Sequence, residues 1–269
     1  MTESYSQPKM FIEAVLEVDK LVFKPQSELK KAKYDRIEIF EDGWQRIVLP
    51  NPPMSSSREV RQELETIIKE HTEATDEEKV AYQMCDEDSS YYIKEVLNEN
   101  GIEFDEEQIE YIEDQCVPIV RHFKNHYNRP RPYMVAEALN IDFKKFETDT
   151  SKTPAYPSGH TVQPYVVANY LSKLHPELKA DLRDAADICA YGRVIAGLHY
   201  PSDYKAGIIL ADQLMSFFKY DQLKEDAPVN STGAAVSTDQ PLPMKKAFYR
   251  RDNEKYTKAL QKLLKRRYN

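Results

Sequence analysis

Residues 107–132 read EQIEYIEDQCVPIVRHFKNHYNRPRP, and most of that stretch carries the most regular helical pattern in the chain. Ile109, Ile112, Cys116, Ile119, Val120, Phe123 and Tyr127 recur at steps of three and four, the spacing that aligns one face of an α-helix. A stripe this apolar must be buried, so the segment predicts a core helix. Its C-terminal end changes character: in KNHYNRPRP (124–132), Lys124, His126, Arg129 and Arg131 crowd together, broken by Pro130 and Pro132. Lys124 sits in the last helical turn, one residue off the apolar face. This local basicity stands out in a chain whose formal net charge is −8.

Two further stretches bear on it, YPSGHT (156–161) and YGRVIAGLHYPSD (191–203). In chain order they set Lys124 and Arg131-Pro132, then Pro157-Ser158-Gly159-His160, then Arg193, His199 and Asp203. This three-part arrangement resembles the signature of the type 2 phosphatidic acid phosphatase and vanadium haloperoxidase superfamily, over residues 57–220. Within it, Lys124, His126, Tyr127, Arg129, Arg131 and Pro132 look most like the soluble class A bacterial acid phosphatases. One departure is Gly192-Arg193, where the third motif often begins Ser-Arg, so a hydroxyl beside the phosphate is expected to be missing.

The chemistry of the residues points the same way. A phosphoryl group in transfer spreads its negative charge over its equatorial oxygens. Lys124, Arg131 and Arg193 can neutralise that charge, the arginines by bidentate contacts. Pro130 and Pro132 restrict the backbone around Arg131. Ser158 and Gly159 at a helix start would offer backbone N–H groups, with glycine admitting the anion closely. The resemblance implies that His199 attacks phosphorus, that Asp203 orients its ring and that His160 protonates the leaving oxygen and then activates water. It implies no metal and no cofactor. The alternative, a vanadium-dependent haloperoxidase, would hold vanadate in the same cradle.

The remainder of the chain supplies the frame. At 269 residues, 41% hydrophobic and 30% charged, it is expected to be a globular protein with a sizeable core. Seven glycines against sixteen prolines argue against a glycine-rich β-sandwich, and the negative charge against a nucleic-acid binder. Cys85, Cys116 and Cys189 read as reduced thiols, and no Cys/His spacing suggests zinc. The start, MTESYSQPKMF, lacks a secretory pattern, and AGIILADQLMSFF (206–218) is interrupted by Asp212 and Gln213, so a soluble, cytoplasmic protein without a membrane span is expected.

The expected fold class is mostly α: a helical bundle of the acid phosphatase/haloperoxidase type, with a small β-hairpin in an N-terminal extension. That extension covers residues 1–56. Residues 10–23 read as strand or helix, and RIEIFEDGWQRIVLP (36–50) alternates about an Asp-Gly turn, the hairpin signal. The helical domain covers 57–220, opened by a Ser57 cap and followed by a Thr75-x-x-Glu78 capping box. Later helices are expected near 159–174, 177–198 and 203–219. A flexible linker (221–244) and a basic tail (245–269) follow; the tail has ten Lys/Arg against two acids. Docking on the acidic body or a second subunit, nucleic acid, anionic lipid and disorder are all open to it, with docking or disorder favoured. The expected substrate is a phosphorylated small molecule or lipid, and a homo-oligomer is compatible with the chain. A scaffold whose tail does the binding is the reading outside enzymology.

Overall fold

The computed structural model describes residues 17–29 and 37–225. The basic tail, most of the linker and the first half of the ambiguous 10–23 segment lie outside the described residues.

Local signals set most helix starts. Helix α1 (Arg58–Thr72) begins where the Ser57 side chain accepts from the Val60 N–H, and it buries Val60, Leu64 and Ile67. Helix α2 (Asp76–Glu87) opens with the reciprocal Thr75–Glu78 capping box. Helix α3 (Tyr91–Glu99) follows after a short turn. Helix α4 (Glu106–Tyr127) is capped by Asp105 and buries Ile109, Ile112, Cys116, Ile119, Val120 and Phe123. It ends at Asn128, whose left-handed backbone (φ 45°) turns the chain while its N–H still bonds to the Lys124 carbonyl.

Helix α5 (Pro132–Ala138) is short, with Pro132 in its first turn. Helix α6 (Gly159–Leu174) is apolar on nearly every side, from Val162 to Leu171, which makes it the central helix. It packs against α4, against α7 (Lys179–Ile195) and against α8 (Pro201–Leu214). Helix α7 in turn packs against α1, α2 and α3. Gly207 lets α8 approach the start of α6: an added Cβ would lie 2.6 Å from the Thr161 Cβ and 3.0 Å from the Ser158 carbonyl oxygen. All three cysteines are free and buried.

The expected hairpin does not form. Asp42-Gly43 does make a turn, with Gly43 at φ 106°, but the chain enters a 3₁₀ turn at Trp44–Arg46 rather than a second strand. Phe40 instead makes an isolated antiparallel bridge with Phe218. The reason lies in where the backbone hydrogen bonds go. The Glu38 and Ile39 N–H groups donate to the Gln115 side chain, Glu41 N–H donates to the Phe217 carbonyl, and Lys219 N–H donates to the Ile39 carbonyl. Alternation still places apolar groups inside, but against helices: Trp44 packs edge-on against His122 on α4. At the other end, residues 222–225 form a helical turn with Leu223 in the core.

Candidate active site

Helix ends converge on one pocket of about 270 Å³. The C-terminal end of α4 and the turn after it bring Lys124 and Arg131. The start of α6 brings Ser158, Gly159 and His160, and the last turn of α7 brings Arg193. Helix α7 stops at Gly197, which is left-handed (φ 73°); a Cβ there would meet the Phe143 ring at 2.2 Å. The turn is closed by Leu198 and His199 N–H groups, which both donate to the Arg193 carbonyl at 3.0 and 3.2 Å. His199 is thereby held in the short link before Pro201 opens α8, and Asp203 falls in that helix's first turn.

Lys124, Arg131, Gly159, His160, Arg193 and His199 line the pocket, together with Val117, Val120, Arg121, Thr150, Thr153 and Gln163. Of the remaining expected site residues, Asp203 is completely buried behind His199. Ser158 is completely buried at the helix start, and its Oγ has no hydrogen-bond partner among the described residues.

Geometry sets the tautomer of His199. Its Nε2 stands 2.9 Å from Arg131 Nη1; arginine has no acceptor, so Arg131 donates and Nε2 carries a lone pair. Nδ1 therefore bears the proton and donates to Asp203 Oδ2 at 3.2 Å. The same oxygen accepts from Tyr200 N–H at 2.9 Å, so Asp203 serves as helix-start residue and imidazole partner together. Its other oxygen accepts from Arg129 Nη1.

The cations fall into two groups. Arg193 is ion-paired with Asp86 on α2 and donates to Thr150 Oγ1 at 2.7 Å, while its buried Nε has no partner among the described residues. Among the described residues, Lys124 donates only to backbone, the Pro154 and Ala155 carbonyls. Arg131 donates to the Thr153 and Leu198 carbonyls besides His199. Neither Lys124 nor Arg131 forms an ion pair among the described residues, although both are buried. Buried charge without a counter-charge is costly and seeks an anion.

The pKa directions express that cost. Burial first, then Arg131 and Arg193, hold the Lys124 ammonium well below the usual lysine range against the pull of Asp203. Burial and Arg193 bring Arg131 down to about 10. Burial, with the cations around them, holds His160 and His199 well below the ordinary imidazole value. An arriving dianion would oppose each of these shifts. Among the described residues, no group of three His, Cys, Asp or Glu side chains is placed to hold a metal ion.

Several site neighbours were not singled out from the sequence: Asp86, Glu63, Arg121 and the loop threonines 150 and 153. Their separation from the motifs along the chain carries no local signal. Gly192 also takes on a new meaning. A Cβ there would face Tyr82 on α2, with 3.9 Å to its Cα, and Gly192 does not line the pocket, so the expected loss of a hydroxyl beside the anion does not follow.

With this geometry in hand, residues 115–224 match the family model of the PAP2 superfamily, and this part of the chain is a PAP2-superfamily domain. Over 88 residues, a third of this chain and a third of the relative, it is 35% identical to an acid phosphatase of Zymomonas mobilis subsp. mobilis. Over 100 residues, 37% of this chain and 40% of the relative, it is 33% identical to a non-specific acid phosphatase of Providencia stuartii. The chain thus spans between a third and two-fifths of these relatives' length. In fold it is similar to an apo-type bacterial vanadium-dependent chloroperoxidase, with a TM-score of 0.54 over 70% of this chain and 54% of that one at 15% identity. It is also similar to a bacterial vanadium-dependent iodoperoxidase, with a TM-score of 0.53 over 73% and 59% at 17% identity. Among the described residues, no helix is long and apolar enough to cross a membrane.

Proposed function

We propose that this chain is a phosphatase that hydrolyses phosphate monoesters through a phosphohistidine at His199, with no metal ion taking part. The observation that carries the reading is the His199 ring itself. Its Nδ1–H is tied to buried Asp203, and its Nε2 lone pair faces a pocket lined by Lys124, Arg131 and Arg193. The similarity of residues within 115–224 to acid phosphatases supports it.

In the first half-reaction the ester's non-bridging oxygens take the N–H groups of Lys124, Arg131, Arg193 and the start of α6. Arg131 then gives up its hydrogen bond to Nε2, which frees the nucleophile at the moment the substrate is held. Nε2 forms the N–P bond as the ester P–O bond breaks, and His160 donates its proton to the leaving oxygen. Asp203 stabilises the ring's positive charge. In the second half-reaction neutral His160 takes a proton from water, the hydroxyl oxygen bonds to phosphorus, and the N–P bond breaks to release phosphate and His199. Ser158 would hold the anion only through a small shift of the helix start, since its hydroxyl lies outside the pocket lining.

The fold likeness to haloperoxidases gives a second reading its footing. The same donors, including the orphaned Arg193 Nε, fit vanadate as they fit phosphate. Bound there, that group would supply peroxide activation for halide oxidation.

Hydrolysis of an aryl phosphate in EDTA, with the wild type and His199→Ala, separates these readings. Turnover that survives EDTA, disappears in H199A and is inhibited by vanadate supports the phosphatase. An acid-labile phosphoryl group trapped on the wild type and absent from H199A would support the intermediate. Halide oxidation only after vanadate is added would replace it with the peroxidase.

A further inference from the structure

Behind the nucleophile lies a second tier of charge that the reaction scheme does not use. Asp203 Oδ1 accepts from Arg129, whose guanidinium is itself buried and stacks on the Tyr200 ring, 3.9 Å from its centroid. Arg129 Nη2 donates to Glu63 Oε2 at 3.1 Å, and Nη1 also donates to Ser202 Oγ at 2.7 Å. Glu63 comes from the middle of α1. Its Oε1 accepts from Ser202 N–H at 2.6 Å, and its Oε2 from the Ser202 hydroxyl at 2.9 Å. One carboxylate therefore grips the first turn of α8 and the arginine that holds Asp203. Glu63 lies outside residues 115–224, the span of the family match.

We infer that Glu63, through Arg129 and Ser202, is a positioning residue for His199: it fixes Asp203 and keeps Arg129 from neutralising it. This rests on His199 being the nucleophile. Two consequences follow from the bonding. Geometrically, Ser202 immediately precedes Asp203, so its double hold by Glu63 sets where the carboxylate meets Nδ1. Electrostatically, Arg129 is shared between two carboxylates. Without the Glu63 charge its positive field would fall on Asp203 alone, and the ring cation formed during phosphoryl transfer would lose support. A one-sided pair would do neither job. The arrangement also explains why a carboxylate from the N-terminal part of the chain is half-buried beside the site, against the fully buried Arg129 charge that would be costly unpaired.

The groups facing His199 are Lys124 and Arg131 from α4 and the turn after it, His160 from α6, Arg193 from α7 and Asp203 from α8. Removing the Glu63 charge leaves this set in place and makes its surroundings more positive, so the His199 titration should move to lower pH.

The test compares full-length wild type, Glu63→Gln and Glu63→Asp by aryl phosphate kinetics, with the His199 ring titrated separately by NMR. The expected result for E63Q is a kcat lower by roughly tenfold to a hundredfold, the scale on which small misplacements of a reacting group are felt, with KM little changed. The acid limb of kcat/KM and the NMR titration should both shift downward. E63D, which keeps the charge, should recover the titration and part of kcat. Wild-type kcat and an unshifted ring titration in folded E63Q would overturn the inference. So would equal losses in E63Q and E63D without a titration shift, the mark of a purely structural role. An inactive wild type would instead count against the phosphatase reading, while the NMR comparison would still decide whether Glu63 acts on His199.

Discussion

Replacing Asp203 with asparagine removes one charge and leaves the shape of the site nearly intact. The wild-type carboxylate is completely buried and accepts from three donors, Arg129, the His199 ring and the Tyr200 N–H. An amide has one acceptor oxygen and turns an N–H₂ toward the other side, so at least one donor is left facing a donor. Breaking a buried ion pair by removing one partner costs about 3–5 kcal/mol, and because Glu63 still pairs with Arg129 the lower figure, about 3 kcal/mol, applies. For a domain of this size that is a fall in Tm of roughly 6–12 °C. The catalytic loss should be larger. Asparagine can accept nothing on its nitrogen, so the ring is freed to put its proton on Nε2 and lose its nucleophilic lone pair. The comparable loss of a histidine's orienting carboxylate in a serine protease lowers kcat on the order of 10⁴-fold, and a factor of about 10³–10⁴ here corresponds to about 4–5.5 kcal/mol. KM should move little, because Lys124, Arg131 and Arg193 are untouched. The assay is steady-state aryl phosphate hydrolysis on D203N shown to be folded by its melting transition. A kcat within tenfold of wild type would refute the argument that Asp203 sets the tautomer.

Other outcomes follow from the same geometry. Because burial and nearby cations hold His160 below the ordinary imidazole value, kcat/KM should fall as pH rises through that lowered value, and bound phosphate should raise the His160 titration observed by NMR. Stability has the opposite slope. The folded imidazoles of His160 and His199 titrate below their unfolded value, so their contribution is complete above about pH 6.5 and is lost as pH falls toward the folded values; melting curves taken across that window check it, and a flat Tm would contradict it. Gly159→Ala should fold normally, since its Cβ would make only an ordinary 3.5 Å contact with Val120, yet weaken phosphate binding in calorimetry by narrowing the anion's approach. Gly192→Ser should leave KM within about twofold, because its side chain would face Tyr82 rather than the pocket.

The α4 stripe, the Ser57 cap and the Thr75–Glu78 box could be read directly because helix periodicity and capping are local properties, decided within a few residues. The hairpin misreading has the complementary cause. Alternation in 36–50 signalled burial on one side, but what covers that side is helix, and the backbone partners of Glu38, Ile39 and Glu41 come from Gln115 and Phe217, far along the chain. Helix ends were legible to within a few residues; Gly197 marks the true end of α7, two residues before His199.

By itself the sequence determined the helical character of the chain and the chemical inventory of the site, because residue types, their spacing and helix periodicity are all written along one dimension. It also limited Arg131 through its flanking prolines, a constraint carried by covalent geometry. Only the tertiary structure decided which charges face the pocket and which are already answered. Arg193 meets Asp86, and Arg129 meets Asp203 and Glu63, whereas among the described residues Lys124 and Arg131 find only carbonyls and an imidazole. Electrostatic partnership depends on distance through space and on the loss of water around each charge, and the carboxylates concerned arrive on three separate helices, Glu63 on α1, Asp86 on α2 and Asp203 on α8, which folding alone brings to the ends of α4 and α7.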